Sequence, residues 1–310
     1  MKMKIALTAL AVLALSVGAA AAQVQIDKKK PASPNVHVQI RNSFGSLRIV
    51  GNEAKEVSVT GRLAPGAEGL EFEGDRQDFS IEVATPEDWS YGSGDDADYR
   101  SELEIRVPSG ASLDVETLNA SIAITGVDGV VNVETVNGAV SAAGNPKSVQ
   151  VNSVTGKVDV VAVSAEVQIE SVSGAVSVKG AARTAEVTTT SGAIDVMGKE
   201  FERVQLKSTG GDVHVEGSFR GDGGLEIETF SGSVQLLVPA DIAARFKMTT
   251  FSGGIESSMG PKPVRNARRS PYMEVRFATA ETDFDVSVTT YSGNIVLRKS
   301  GETKPPAPAR

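Results

Sequence analysis

The chain has 310 residues, 40% hydrophobic but only 5% aromatic, with 31 glycines, no cysteine and a formal charge of −8. A core must therefore be built from Val, Ile, Leu and Ala, in a composition that suits many short strands and tight turns. The acidic balance argues against nucleic acid as a partner, because a phosphate-binding surface needs clustered Lys and Arg in excess; the missing cysteine excludes disulfides and a lipid-modified N-terminal Cys.

Residues 1–22 read as a signal peptide. Lys2 and Lys4 give a positive start, Ile5 to Val17 an apolar run, and Ala20-Ala21-Ala22 a small-residue cleavage site before Gln23. An apolar helix of that length spans roughly 20 Å, short of the ~30 Å hydrocarbon core, so no transmembrane segment is expected after processing. The expected location is exported, either periplasmic or at the cell surface, with a mature formal charge of −10 once Lys2 and Lys4 are lost.

Residues 23–110 are expected to form an N-terminal β cap module. Alternating segments "NVHVQI", "EVSVTG", "FSIEVA" and "ELEIRVP" come at irregular spacing, and such a module would cover the open edge of a stack. His37 lies here with no evident partner. The loop "TPEDWSYGSGDDADYR" is acidic and holds the only tryptophan, Trp89; its Asp95, Asp96 and Asp98 lack the ligand spacing and closing Glu of an EF-hand.

Residues 111–298 carry a repeat. Gly138, Gly156, Gly174 and Gly192 stand 18 residues apart; Gly211, Gly232 and Gly253 follow at 19, 21 and 21, and Gly293 comes after a basic insertion at 258–284. Ala120 fills the slot before Gly138, and Gly45 begins an isolated copy. Counting from the glycine, residues at −7, −5, +2 and +4 are apolar, −3 is Ser or Thr, and −1 is small and polar. Period-two alternation on both sides of a glycine means strand, bend, strand. Stacked units bury a continuous Val/Ile core, so the expected fold is all-β, a parallel β-solenoid with rungs of 18 to 21 residues and a disordered tail from 299 to 310. A three-sided coil would need an apolar residue every six positions; Val154 and Val160 obey, whereas Glu166 does not. The glycines are expected to serve as structural turns using positive φ.

The −2 column contains Leu118, Val136, Val154, Val172, Thr190, Thr209, Phe230, Phe251 and Tyr291. Strict alternation exposes it, and a corner bulge would bury it. If exposed, Phe230, Phe251 and Tyr291 offer an apolar contact surface, with Arg265, Arg268 and Arg269 of the basic insertion as further contact residues.

No catalytic, cofactor or metal residues are assigned. The serines of "SG" recur as a column, whereas a nucleophile elbow needs one serine in a G-x-S-x-G setting. Ser177, Asp195 and His214 should occupy successive +3 positions, but a triad needs His between nucleophile and acid; an Asp195–His214 bond is the simpler expectation. Asp159 and Asp195 are separated by Ser177, which disfavours a paired-carboxylate glycan enzyme.

The recurring T-x-S-G-x-[VI]-x-V, the Val-Pro lead-ins of "RVPSGASLDVETLNAS" and "LVPADIAARFKMTTFSG", the cap and the signal sequence resemble the bacterial putative-adhesin family of β-strand-repeat proteins, a domain of unknown function. The resemblance covers roughly residues 35 to 298. It implies an exported non-enzymatic solenoid acting as an interaction or structural module of the envelope, toward an envelope protein or surface glycan. The other readings carried are an envelope-stress or signalling accessory protein that binds a membrane partner, and a glycan-active β-helix enzyme. Ala120 in place of Gly, Ser257 at a +4 position and the 253 to 293 insertion depart from the pattern.

Overall fold

The computed structural model describes residues 24–86, 100–163, 166–181, 183–265 and 272–301, and among them there is no helix. The expected signal peptide, Trp89 with Asp95, Asp96 and Asp98, Arg268, Arg269 and tail residues 302–310 lie outside the described residues.

Seven strands precede the regular repeat: β1 (Val24–Pro31), β2 (His37–Arg41), β3 (Phe44–Asn52), β4 (Glu56–Leu63), β5 (Gly69–Gly74), β6 (Asp78–Ala84) and β7 (Ser101–Pro108). They are followed by β8 (Ser112–Thr125), which bends round the glycine corner and serves both faces of the stack. β2 pairs in parallel with β6 on one side and the first half of β8 on the other. On the second face β3 pairs in parallel with β7 and the second half of β8. The first rung in sequence is therefore the second in space. The chain builds β2–β3, runs outward through β4 and β5, lays down the outermost rung β6–β7, and crosses back past β2–β3 to begin β8. Antiparallel β1–β4–β7 and β5–β6 pairings finish this end.

The middle is regular. First-face strands β9 (Val130–Asn137), β11 (Ser148–Thr155), β13 (Glu166–Ser171) and β15 (Thr184–Thr189) alternate with second-face strands β10 (Val140–Gly144), β12 (Val158–Val163) and β14 (Val176–Ala181). All pair in parallel with the equivalent strand one rung away. β16 (Ile194–Ser208) and β17 (Val213–Thr229) each start on the second face and continue onto the first, with bulges around Phe201. Two strands per rung is the observed geometry, as the apolar spacing requires.

At the far end, β18 (Val234–Val238) leads through Pro239 to β19 (Arg245–Thr250) and β20 (Ile255–Ser257). Then come β21 (Val264–Arg265), β22 (Met273–Ala278), β23 (Asp285–Thr290) and β24 (Ile295–Lys299). β23 lies between β17 and β19, and β24 between β18 and β20, all in parallel register. This corrects the column order expected from sequence: the corner runs Gly232, Gly293, Gly253. β22 pairs antiparallel with β19, and β21 with β22. The chain is thus all-β and solenoid-like, but the sheet as a whole is mixed, because antiparallel strands close both ends of the parallel rungs.

The predicted core columns are buried. Val140, Val158, Val176, Ile194, Val213, Val234, Ile295 and Ile255 stack in register at +2 and are at most 6% exposed. Each such burial contributes ~1.5 to 3 kcal/mol. Phe201, Phe219 and Phe284 pack in series at the bend opposite the glycine corner, with centroids 6.1 and 5.2 Å apart, a cluster the glycine-centred template does not contain.

The corner glycines are required mainly by close approach. A Cβ on Gly192 would lie 1.9 Å from the carbonyl oxygen of Gly174, and the same clash recurs from Gly138 to Gly293 against the corner residue one rung away. Positive φ occurs at Gly45, Gly138 and Gly156 but not at the later corners, so the expectation that all of them use it is corrected.

Candidate functional site

The chemistry of the corner decides which side chains reach solvent. From Ser171 onward the −3 hydroxyl turns inward and accepts a hydrogen bond from the glycine N–H three residues on. Examples are Gly174 to Ser171 (3.2 Å), Gly192 to Thr189 (3.0 Å), Gly211 to Ser208 (2.8 Å) and Gly293 to Thr290 (2.9 Å). Near the start of the stack Thr117 instead donates to Thr135 across rungs at 2.8 Å. All these hydroxyl residues are buried, as a corner that would otherwise leave backbone groups unpaired requires.

With −3 pinned inward, −2 must point outward. Leu118, Val136, Val154, Val172, Phe230, Tyr291 and Phe251 are between 40% and 56% exposed and form one apolar ridge, interrupted by exposed Thr190 and Thr209. Phe230, Tyr291 and Phe251 stack face to face, with centroids 4.8 and 4.9 Å apart and planes within 8°. Tyr291 is the middle ring because its rung is inserted between the other two. Ring faces are used against each other, so the ladder presents ring edges to solvent. Each stacked pair stabilises by roughly 0.5–1.5 kcal/mol beyond its buried area.

Beside the ridge, at the other end of the stack, lies an open groove of about 680 Å³. Its floor is the −4 column, where Glu116, Glu134 and Glu170 succeed one another with Asn152 between the last two; Glu82 and Arg41 close the end. Arg41 bonds Glu116 at 3.0 Å and approaches Glu82 at 3.8 Å, and its pKa is raised by the Glu116 hydrogen bond and charge. The recurrence of Glu at −4 was readable in sequence; the groove itself was not, since it depends on the inserted rung that brings Arg41 beside Glu82 and Glu116.

His37, expected to lack a partner, has two: Asp114 Oδ2 at 2.7 Å and Asp78 Oδ1 at 3.4 Å. They come from the rungs on either side of the inserted β2. Burial raises the Asp114 pKa, but hydrogen bonds from Asn132 (2.7 Å) and His37 outweigh it and leave the carboxyl below its ordinary value.

The serine column has a complete structural explanation. Ser173, Ser191, Ser231, Ser252 and Ser292 each donate to a backbone carbonyl of the neighbouring rung at 3.2–3.4 Å. Ser177, Asp195 and His214 occupy successive rungs in register. The expected Asp195–His214 bond does not form, and Asp195 Oδ1 is buried without a partner. Asp159, two rungs from Asp195, is held by Lys157 at 2.6 Å. Among the described residues no group of three or more His, Asp or Glu is placed to hold a metal, and no helix is long and apolar enough to cross a membrane.

The structure brings Phe230, Phe251 and Tyr291 together. It places the Arg265 backbone two strands beyond Thr250, level with Met273 and hence with the corner that carries Phe251.

These features define an all-β, solenoid-like scaffold that displays an exposed apolar row along its corner, broken by Thr190 and Thr209. The chain belongs to the Toastrack DUF4097 family, whose model matches residues 33–298. No curated protein matches it. Among solved structures it is similar to a "putative cell adhesion protein" from Clostridium sporogenes, at 14% identity over 89% of this chain and 100% of that one, with a TM-score of 0.23. It is also similar to a "putative adhesin" from Parabacteroides distasonis, at 13% identity over 89% and 97% with a TM-score of 0.43. A further "putative adhesin", from Parabacteroides merdae, is 10% identical over 89% and 95%, with a TM-score of 0.28.

Proposed function

We propose that the protein is an exported, non-enzymatic, adhesin-like interaction or structural module of the bacterial cell envelope, contacting an envelope protein or surface glycan through its glycine corner. The observation that carries this reading is the exposed apolar ridge ending in the Phe230–Tyr291–Phe251 ladder. A three-ring aromatic cluster exposed at one end of an apolar row is uncommon on a soluble surface without a partner, and aromatic residues are the usual anchors of such contacts. Rigid rungs hold the anchors in place before contact, so little side-chain entropy is lost on binding. The basic insertion, with Arg265, Arg268 and Arg269 in its sequence, adds positive charge to the proposed contact, and the Arg265 backbone is level with the corner that carries Phe251. The antiparallel strands β1, β4 and β5 serve as the N-terminal cap.

The test is retention on isolated envelope fractions after crosslinking. A variant with Phe230, Tyr291 and Phe251 all changed to Ser should keep the β-rich circular dichroism spectrum and lose retention by about tenfold, the scale of a modest anchor cluster. Unchanged retention, or no envelope partner for the unaltered protein, would overturn the reading.

A further inference from the structure

Asn42 occupies the −3 position of the inserted rung β2–β3, where every later copy has Ser or Thr. It is 2% exposed, lines the groove beside Arg41 and Glu82, and neither its Oδ1 nor its Nδ2 has a hydrogen-bond partner. A buried amide with both donor and acceptor unpaired is a costly arrangement in a finished core. Turned toward the groove by a side-chain rotation, which both atoms need because they are buried, the amide fits a ligand that offers an acceptor and a donor together, as a peptide bond does.

The rest of the groove narrows the ligand. Glu134 and Glu170 are exposed and, among the described residues, have neither an ion pair nor a hydrogen bond through their carboxylates; Arg41, the cation of the groove, is already engaged by Glu116 and Glu82. The floor therefore calls for positive charge, while the wall of Leu118, Val136, Val154 and Val172 calls for apolar contact. Glu134 and Glu170 stand two rungs apart, which is ~9.6 Å at ~4.8 Å per rung. One turn of a polyproline II helix is three residues and ~9.3 Å. A strand laid along the same axis repeats a face every two residues, ~6.7 Å, and falls out of step with the rungs. The acidic floor also repels an anionic lipid surface.

We propose that this groove binds an extended, proline-rich basic peptide segment in polyproline II conformation, with Lys or Arg at every third position on Glu134 and Glu170, apolar residues on the valine wall, and a backbone amide on Asn42. From Glu82 to Thr188 the groove covers six rung steps, ~29 Å at ~4.8 Å per step, which seats about nine residues at ~3.1 Å each.

The test is fluorescence anisotropy with the full chain and a labelled nonapeptide of three Lys-Leu-Pro repeats. A peptide of the same composition with its three lysines adjacent should bind about fivefold more weakly, because only the repeat matches the rungs. Glu134→Lys with Glu170→Lys, both on exposed positions, should weaken binding about tenfold or more at low salt. Asn42→Leu should weaken it about fivefold, with circular dichroism confirming the fold. The Phe230, Tyr291 and Phe251 serine variant should bind the peptide as the unaltered protein does, which separates this site from the aromatic anchor. Equal affinity for the repeat and the clustered peptide, indifference to the double charge reversal, or binding of a chitosan oligomer with no binding of the peptide would each overturn the proposal.

Discussion

A methyl group at position 192 would sit 1.9 Å from the carbonyl oxygen of Gly174 and 3.0 Å from Thr189 Oγ1. No side-chain rotation relieves a contact made by Cβ itself, so the two rungs must separate. Gly192→Val is therefore expected to destabilise the stack by about 3 kcal/mol or more, at the upper end of overpacking costs. Gly69, at the start of β5, has open space around its missing Cβ and no positive φ. Gly69→Ala should change stability by less than about 0.5 kcal/mol. Urea unfolding of the two variants checks the comparison, and similar losses for both would refute the close-approach account. The glycine column was legible because each copy repeats the same residue at nearly the same spacing. Its cause was not, because the contact lies between residues 18 positions apart and no local torsional rule reveals it. The same limit hid Asn42, whose neighbours are set by β6 and β8 rather than by its own segment.

Among elements, the two Val-Pro lead-ins acquire a shared meaning. Val107-Pro108 and Val238-Pro239 each stand where the chain skips a rung, later filled, or already filled, by an inserted strand pair. The duplication was visible in sequence, but the skip was not, since equal strands at equal periods read as consecutive rungs. Charge helps to hold both insertions. His37 lies between Asp78 and Asp114, and Arg41 between Glu82 and Glu116. At the other end Arg245 grips Asp285 with two bonds of 2.7 and 3.0 Å. The Arg245 hydrogen bond lowers the Asp285 pKa, and Asp114 is lowered as well. A carboxyl held below its unfolded value near ~4 adds stability above that pH, and the addition is lost as pH falls through the folded value. Thermal unfolding should thus shift to lower temperature as pH drops from 5 toward 3. Asp114→Asn with Asp285→Asn should flatten that slope modestly, since Asp285 is exposed and Asp114 only partly buried, so solvent screens both pairs. An unchanged slope in the double variant would show that these pairs do not carry the acid sensitivity.

For the molecule as a whole, the inserted rung makes the C-terminal end depend on strands made last. Thr290 and Ser292 bond to Gly232 and Phe230, which lie 58 and 62 residues earlier in the chain. Ending the chain at Ala278 removes β23 and β24 and leaves β19 and β20 without their parallel neighbours. Hydrogen exchange should then show β19 to β22 losing protection while β9 to β14 keep theirs. Retained protection of β19 would mean that its antiparallel pairing with β22 holds this end without β23, against a dependence on the strands made last. The middle of the fold was the most legible part because its period is regular and its core columns are nearly pure Val and Ile. The ends were the least legible, because reversal and insertion are decided by pairing partners far apart in sequence.

The interlaced ends also constrain how such a protein can change length. A copy appended after β24 would start from a strand already covered on both sides, and one placed before β2 would meet the same obstruction. Neither terminus is a growing tip. New repeats can be accommodated only between the two interlaced ends, where a segment of 18 residues can be duplicated within 120–192 and leave every neighbour in register. Lineages that lengthen or shorten the stack should therefore differ by whole 18-residue steps in its interior while both terminal arrangements stay intact.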